Sequence, residues 1–284
     1  MLAQRAMPLL FVLIWATGFI VARGVAPHAE PLTFLMRYGL TAAVFATVAF
    51  AVGAVWPKGA AGWRDALVAG VLIQGIYLGG VFWAARRGMP AGISALISGL
   101  QPLLTAMLSF PLLGERVRSV QWLGIGVGFV GAVLVLLPKL GATEGIPPVP
   151  VVVCFMAVIG ITLGTIWQKR TGTHADLRTN AAVQFIGAAL VTAPIAALTE
   201  EWAFDGSVPA WIDLLWSVFG LSVGAISLLL ILIRRGAVAG VASLFYLVPP
   251  VVAVMAFFFG ERLNLVQILG MALAAAGVAL ANRA

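Results

Sequence analysis

Five polar side chains in one apolar stretch are the first residues whose spacing points to chemistry. Ser94, Ser98, Gln101, Thr105 and Ser109 follow one another at intervals of four, three, four and four. On a helix at about 100° per residue they occupy an arc of roughly 80°. Hydroxyls and an amide on one face can hold a polar ligand in a wet groove. Alternatively, each hydroxyl bonds its own helix backbone. Pro102 sits in the same stretch, and the pair Pro249-Pro250 sits in a later one. A proline inside a helix removes a backbone bond and presses on the carbonyl four residues back, at a cost of about 3 kcal/mol. The carbonyls so released belong to Ser98, Phe245 and Tyr246. They can accept from an ammonium group, or be met by a neighbouring hydroxyl if the kink serves packing only.

Further candidates lie in other apolar stretches. Gln74 and Tyr77 share a helical face, Trp15 and Phe19 stand one turn apart, and Trp167 ends its run. The substrate-binding set is therefore Trp15, Gln74, Tyr77, Ser98, Gln101, Trp167, Phe245 and Tyr246, with Pro102 and Pro250 as helix kinks. Aromatic walls carrying a few polar groups suit a small amphipathic ligand. Trp56, Trp63, Trp202 and Trp211, near the ends of runs, read as interfacial anchors. Arg37, four residues into its run, is expected to snorkel to the interface; facing a cavity instead, it would meet a substrate carboxylate.

Catalysis and cofactors find little support. The single cysteine, Cys154, forbids an intrachain disulfide, and with only His28 and His174 besides, no metal cluster is expected. No Asp or Glu falls deep in an apolar run, so the usual proton-relay carboxylate is missing. Residues 126–131 fit GxGxxG, but without a preceding strand and inside an apolar run they read as helix-packing glycines. No phosphate-binding GxxxxGK[ST] occurs. Neither an enzyme nor a cofactor is expected.

The elements that position these residues follow from composition. Hydrophobic residues make up 62% of the 284 and charged residues only 10%. Soluble chains sit near 45–50% and about 25%, so the solvent here is lipid. Apolar runs of bilayer length fall at 6–22, 33–55, 66–85, 89–112, 120–138, 148–168, 179–199, 211–233, 237–259 and 265–282. They lack the alternation of a membrane barrel, so ten transmembrane helices satisfy the backbone. The first run resembles a signal peptide, but its partner later in the chain keeps it as a helix. The net charge of +7 comes from basic residues scattered between runs, which set topology rather than bind nucleic acid. Eleven of 17 lie on the side of the N-terminus and five on the other, which places both termini in the cytoplasm. The bilayer and a small molecule are the expected partners.

The chain repeats itself. ARRGMPAGISALISGLQP at Ala85 returns as IRRGAVAGVASLFYLVPP at Ile233. Gly114-Glu115-Arg116 returns as Gly260-Glu261-Arg262, and His28-Ala29-Glu30 as His174-Ala175-Asp176, each 146 residues on. Gln121, Leu123, Gly124 and Gly131 match Gln267, Leu269, Gly270 and Gly277 at the same offset. Two five-helix units, 1–140 and 141–284, follow. Five is odd, so the second unit enters from the opposite side, as in the inverted repeats of secondary transporters.

The stretches PLLGERVRSVQWLGIGVGFVGAVL and FFFGERLNLVQILGMALAAAGVAL, with this helix plan, resemble the EamA family of the drug/metabolite transporter superfamily, and within it the YddG-type exporters. The resemblance covers nearly the whole chain. It implies a bacterial inner-membrane carrier that exports aromatic and other neutral amino acids through a central cavity by alternating access. Small multidrug relatives carry a glutamate in their first helix where this chain has Trp15 and Gly18, so proton-coupled multidrug efflux is not implied. The rivals are export of another metabolite or drug, a lipid-acting membrane enzyme, and a membrane protein that transports nothing. A monomer is expected, the glycine-rich fifth helix being the alternative dimer face.

Overall fold

The computed structural model describes residues 2–89, 91–140, 148–172, 176–236, 238–258 and 264–282. The helices are α1 (Leu2–Val25), α2 (Pro31–Ala51) and α3 (Gly59–Arg86), then α4 in two segments, Ala91–Ser98 and Gln101–Leu113. After these come α5 (Ser119–Leu140), α6 (Pro148–Thr171), α7 (Leu177–Thr199) and α8 (Val208–Arg235). The last two are α9, built from Val238–Ser243, Leu244–Leu247 and Val248–Phe258, and α10 (Leu265–Ala281). Eight helical stretches are long and apolar enough to cross a membrane; α1 and α10 carry the shorter apolar runs Ala6–Ala22 and Leu265–Ala281. Among the described residues the only bridge of β type is the isolated pair Ala29 and Phe204. The chain is an all-helical, multi-pass membrane protein.

Helix ends follow local chemistry. Asn264 and Gln267 form a reciprocal capping box at α10, Asp176 accepts from the Arg178 amide at α7, and Ser207 accepts from the Ala210 amide at α8. Gly114 closes α4 at φ 72°, a conformation glycine adopts without steric cost. The neighbouring Glu115 reaches across and accepts from the amide of Val238, at the start of α9, at 3.1 Å. Its counterpart Gly260-Glu261-Arg262, the His174 echo and the side chain of Phe19 lie outside the described residues.

Two irregularities shape the interior. In α3 and α8 the backbone widens into π-helix over Val71–Leu78 and Ser217–Ile226, stretches that begin 146 residues apart. In α4 and α9 the helix breaks just before the prolines. A turn at Gly99-Leu100 precedes Pro102, and a 3-10 turn over Leu244–Leu247 precedes Pro249 and Pro250. Each proline thus opens a fresh segment, where its missing N–H costs little, rather than bending an unbroken helix.

α5 and α10 form the closest seam. A Cβ on Gly124 would meet the backbone of Gly277 and Ala281, and one on Gly270 would meet that of Gly131 and Val135. Such small-residue faces let helix backbones approach in lipid. Gln121 Nε2 donates to the Ala281 carbonyl, and Gln267 Nε2 to the Val135 carbonyl, both at 3.3 Å. Gly124, Gly128 and Gly131 of the fifth helix thus face α9 and α10 within the chain.

Candidate functional site

A small cavity of about 40 Å³ lies between α1, α2, α3 and α8. Its wall includes Trp15, Arg37, Gln74, Tyr77, Phe82 and Ser222. The two π-helical stretches deliver Gln74 and Tyr77 from one side and Ser222 from the other. π-Helical register redirects side chains and loosens carbonyls from their usual partners. Here the carbonyl of Gln74 accepts from the Tyr38 hydroxyl at 2.9 Å, which ties α2 to α3.

Aromatic rings floor the cavity. Trp15 stacks on Tyr77 with ring centroids 6.2 Å apart and takes the edge of Phe245 at 5.2 Å. Phe11 completes this group, 5.3 Å from Trp15 and 5.6 Å from Phe245. Tyr77 also meets the Ser98 side chain. Below Phe11 lies a wider vestibule of about 520 Å³, bounded by Met7, Leu9, Leu232, Leu244 and Asn282 at the N-terminal end of the bundle. Along α1 the vestibule touches Met7–Leu9 and the cavity Trp15 and Gly18. The Phe11–Trp15–Phe245 cluster stands between.

Three of the expected substrate-binding residues, Trp15, Gln74 and Tyr77, share this wall. Phe245 backs it through Trp15 and Ser98 through Tyr77. The other three lie elsewhere. Trp167 donates its indole N–H to the Asp65 carbonyl at 3.1 Å, pinning α6 to α3. Tyr246 is fully buried against Phe129 and Gly128 of α5, with its hydroxyl unpartnered. Gln101 is buried outside the cavity, its Nε2 unpartnered. Indeed the whole polar face of α4 is buried. Ser94 lies 3.6 Å from the Cys154 sulfur and Ser109 donates to the Thr105 carbonyl. The face turns toward α6 and α9, and Ser98 is its one member next to the cavity.

Arg37 departs most from the sequence reading. It does not snorkel: it is 5% exposed and lies in the cavity wall. Its guanidinium carbon stands 4.8, 5.4 and 5.5 Å from the ring centres of Phe34, Tyr38 and Phe82. Nε and Nη1 have no hydrogen-bond partner among the described residues. The rings of Phe34, Tyr38 and Phe82 hold the stem inward, which spacing along α2 alone does not announce. Ser222 had no signal in the sequence beyond being a hydroxyl in an apolar run.

At the end of the bundle away from the vestibule, carboxylates strap two connections together. Glu200 accepts from the amides of Leu32 and Thr33, and Glu30 accepts from those of Glu201 and Ala203. His28 Nδ1 lies 2.6 Å from Asp205 Oδ2. The Asp205 carboxyl is pulled down to about 2, first by the Ser207 amide and then by His28.

Comparison with known proteins gives the chain its place. The model of the EamA-like transporter family matches residues 6–137 and again 149–283. Protein PecM of Dickeya dadantii is 30% identical over 66% of this chain and 61% of its own length. The transporter YvbV of Bacillus subtilis is 26% identical over 68% and 64%. This chain thus spans under two thirds of these relatives. A probable amino-acid metabolite efflux pump of Escherichia coli is 26% identical over 95% of this chain and 91% of the pump. A protein crystal structure superposes with a TM-score of 0.81 at 21% identity, covering 97% of this chain and 95% of that one, which establishes the shared fold. Apolar helices of membrane length and a family model matched along nearly the whole chain lead to one assignment: this chain belongs to the EamA-like transporter family.

Proposed function

We propose that the protein exports amino acids, aromatic and other neutral ones, across the bacterial inner membrane by alternating access. The observation that carries this reading is the cavity itself. Its wall combines stacked aromatics with an amide and hydroxyls, the lining a small amphipathic ligand needs, and at about 40 Å³ in this state it must widen to admit cargo. Gln74 and Tyr77 hold the polar backbone of the substrate, while Trp15 and Phe245 meet its side chain. The relative named as an amino-acid metabolite efflux pump supports the cargo.

The mechanism rests on ten spans in two inverted units, 1–140 and 141–284, with both termini cytoplasmic, working as a monomer. The double family match supports two units. The α5–α10 bonds support their inversion. Gln121 and Gln267 are 146 apart, and so are their acceptors Ala281 and Val135. Each bond joins the start of one helix to the end of the other, which is what an inverted pair of units would give. In this state Gln101 and Tyr246, with unpartnered polar atoms, wait outside the cavity; they join it when α4 and α9 rearrange at their breaks. Counterflow of radiolabelled phenylalanine in proteoliposomes tests the proposal. Flux above empty liposomes, suppressed by excess tryptophan, is expected; none would sink it.

A further inference from the structure

We propose that Arg37, with Gln74 beside it in the same wall, forms an anion subsite that takes the carboxylate of the cargo. The inference deepens the transport reading by naming the group the site selects. Arg37 is the only charged residue in the cavity lining among the described residues. Three rings surround it and no carboxylate pairs with it. Aromatic faces attract a cation but accept no conventional hydrogen bonds, so the guanidinium donors stay open. A charge taken out of water without a counter-ion costs several kcal/mol. Proteins retain such a residue inside a membrane for a ligand or an ion path. The guanidinium fork matches a carboxylate in shape and charge.

Gln74 strengthens the assignment. It is fully buried, and neither Oε1 nor Nε2 has a partner. Its amide N–H₂ can donate to the same carboxylate, while its oxygen accepts from a neighbouring ammonium. The residue also stays fixed in place, because Tyr38, next to Arg37, holds the Gln74 carbonyl. One guanidinium balances one negative charge. With no second cation in the lining, a monocarboxylate fits better than a phosphate dianion, and an amine without a carboxylate leaves Arg37 unpaired.

The test uses full-length purified protein and reads ligand binding separately from transport. Thermal unfolding in detergent is followed with phenylacetate, phenethylamine or inorganic phosphate at matched ionic strength. Saturating phenylacetate is expected to raise the midpoint by about 3 °C through binding to the folded state, and phenethylamine to leave it unmoved. Arg37→Gln is expected to lose the shift and Arg37→Lys to keep part of it. Equal shifts from phenylacetate and phenethylamine, no shift at all, or a full shift in Arg37→Gln would each overturn the subsite. A larger response to phosphate would overturn its assignment to carboxylates. In liposomes, phenylalanine flux that phenethylamine blocks as well as phenylacetate does, and that Arg37→Gln leaves unchanged, sinks the subsite while the amino-acid reading stands. Phenylacetate stabilisation lost in Arg37→Gln, without any phenylalanine flux, sinks the amino-acid reading and leaves the subsite.

Discussion

Gln74 puts a polar amide where the fold alone has no use for one. It is fully buried with both polar atoms unpartnered, a condition that costs about 1–3 kcal/mol. Leucine has nearly the same volume and carries no such penalty. Gln74→Leu is therefore expected to unfold at the same temperature as the parent or higher, while its affinity for phenylalanine falls about tenfold, the loss of one hydrogen bond of about 1.4 kcal/mol. Unfolding midpoints and the concentration dependence of counterflow check both halves. A variant that loses stability and transport together would make Gln74 a packing residue. Gln74, Tyr77 and Trp15 were legible in the sequence because polar and aromatic groups in apolar runs are anomalies that lipid does not tolerate idly. For Arg37 the sequence offered both snorkelling and a cavity-facing position and could not choose between them. Whether a long cation reaches water or turns inward depends on Phe82, which α3 brings from 45 positions away. Trp167 lies outside this cavity, its indole N–H donating to the backbone carbonyl of Asp65, a partner its place in the sequence did not show.

At the scale of elements, glycine marks where backbones must touch, and the α5 sequence does not say which glycines those are. Within the GxGxxG stretch, a Cβ at Gly126 meets nothing within 4 Å, whereas Gly128 and Gly131 face Tyr246 and the α10 backbone. On α10, a Cβ at Gly277 would fall on the backbone of Gly128. Backbone cannot rotate aside as a side chain does, so the helices must part. Gly277→Ala is expected to cost about 3 kcal/mol, the upper end for overpacking. Gly126→Ala is expected to be neutral or to gain up to about 1 kcal/mol from lost backbone freedom in the unfolded chain. Chemical unfolding of the two variants side by side checks the contrast, and equal effects would put the seam elsewhere. Helix existence was readable from hydropathy, and the α4 and α9 interruptions from their prolines. The π-helical stretches were not. Val71–Leu78 and Ser217–Ile226 contain no proline to mark them, and they pack against α6 and α1, neighbours that only the folded bundle supplies.

At the scale of the molecule, Gln121 and Gln267, which echo each other at 146 residues, both bond across the α5–α10 seam, a pairing that the echo by itself did not name. It said nothing of the strap that joins the α1–α2 and α7–α8 connections. That strap relies on carboxylates more than a hundred residues from the amides that donate to them, a proximity that only the finished bundle creates. With the strap closed and the vestibule wide at the opposite end, the structure suits a carrier shut on the strap side. Asp205 gives the strap a definite pH behaviour. Its carboxyl is lowered to about 2 from an ordinary 3.8, by the Ser207 amide first and His28 second. A group whose folded value is depressed contributes stability above its unfolded value and loses it as pH falls through the folded one. The Asp205 contribution is therefore fully present above about pH 4 and disappears toward pH 2. The difference in unfolding midpoint between the parent and Asp205→Asn should close as pH falls from about 4 toward 2. The site is open to water, so high salt should shrink that difference where both forms are folded. A gap that persists unchanged down to about pH 2 would show that the ionised Asp205 carboxylate adds nothing to the strap.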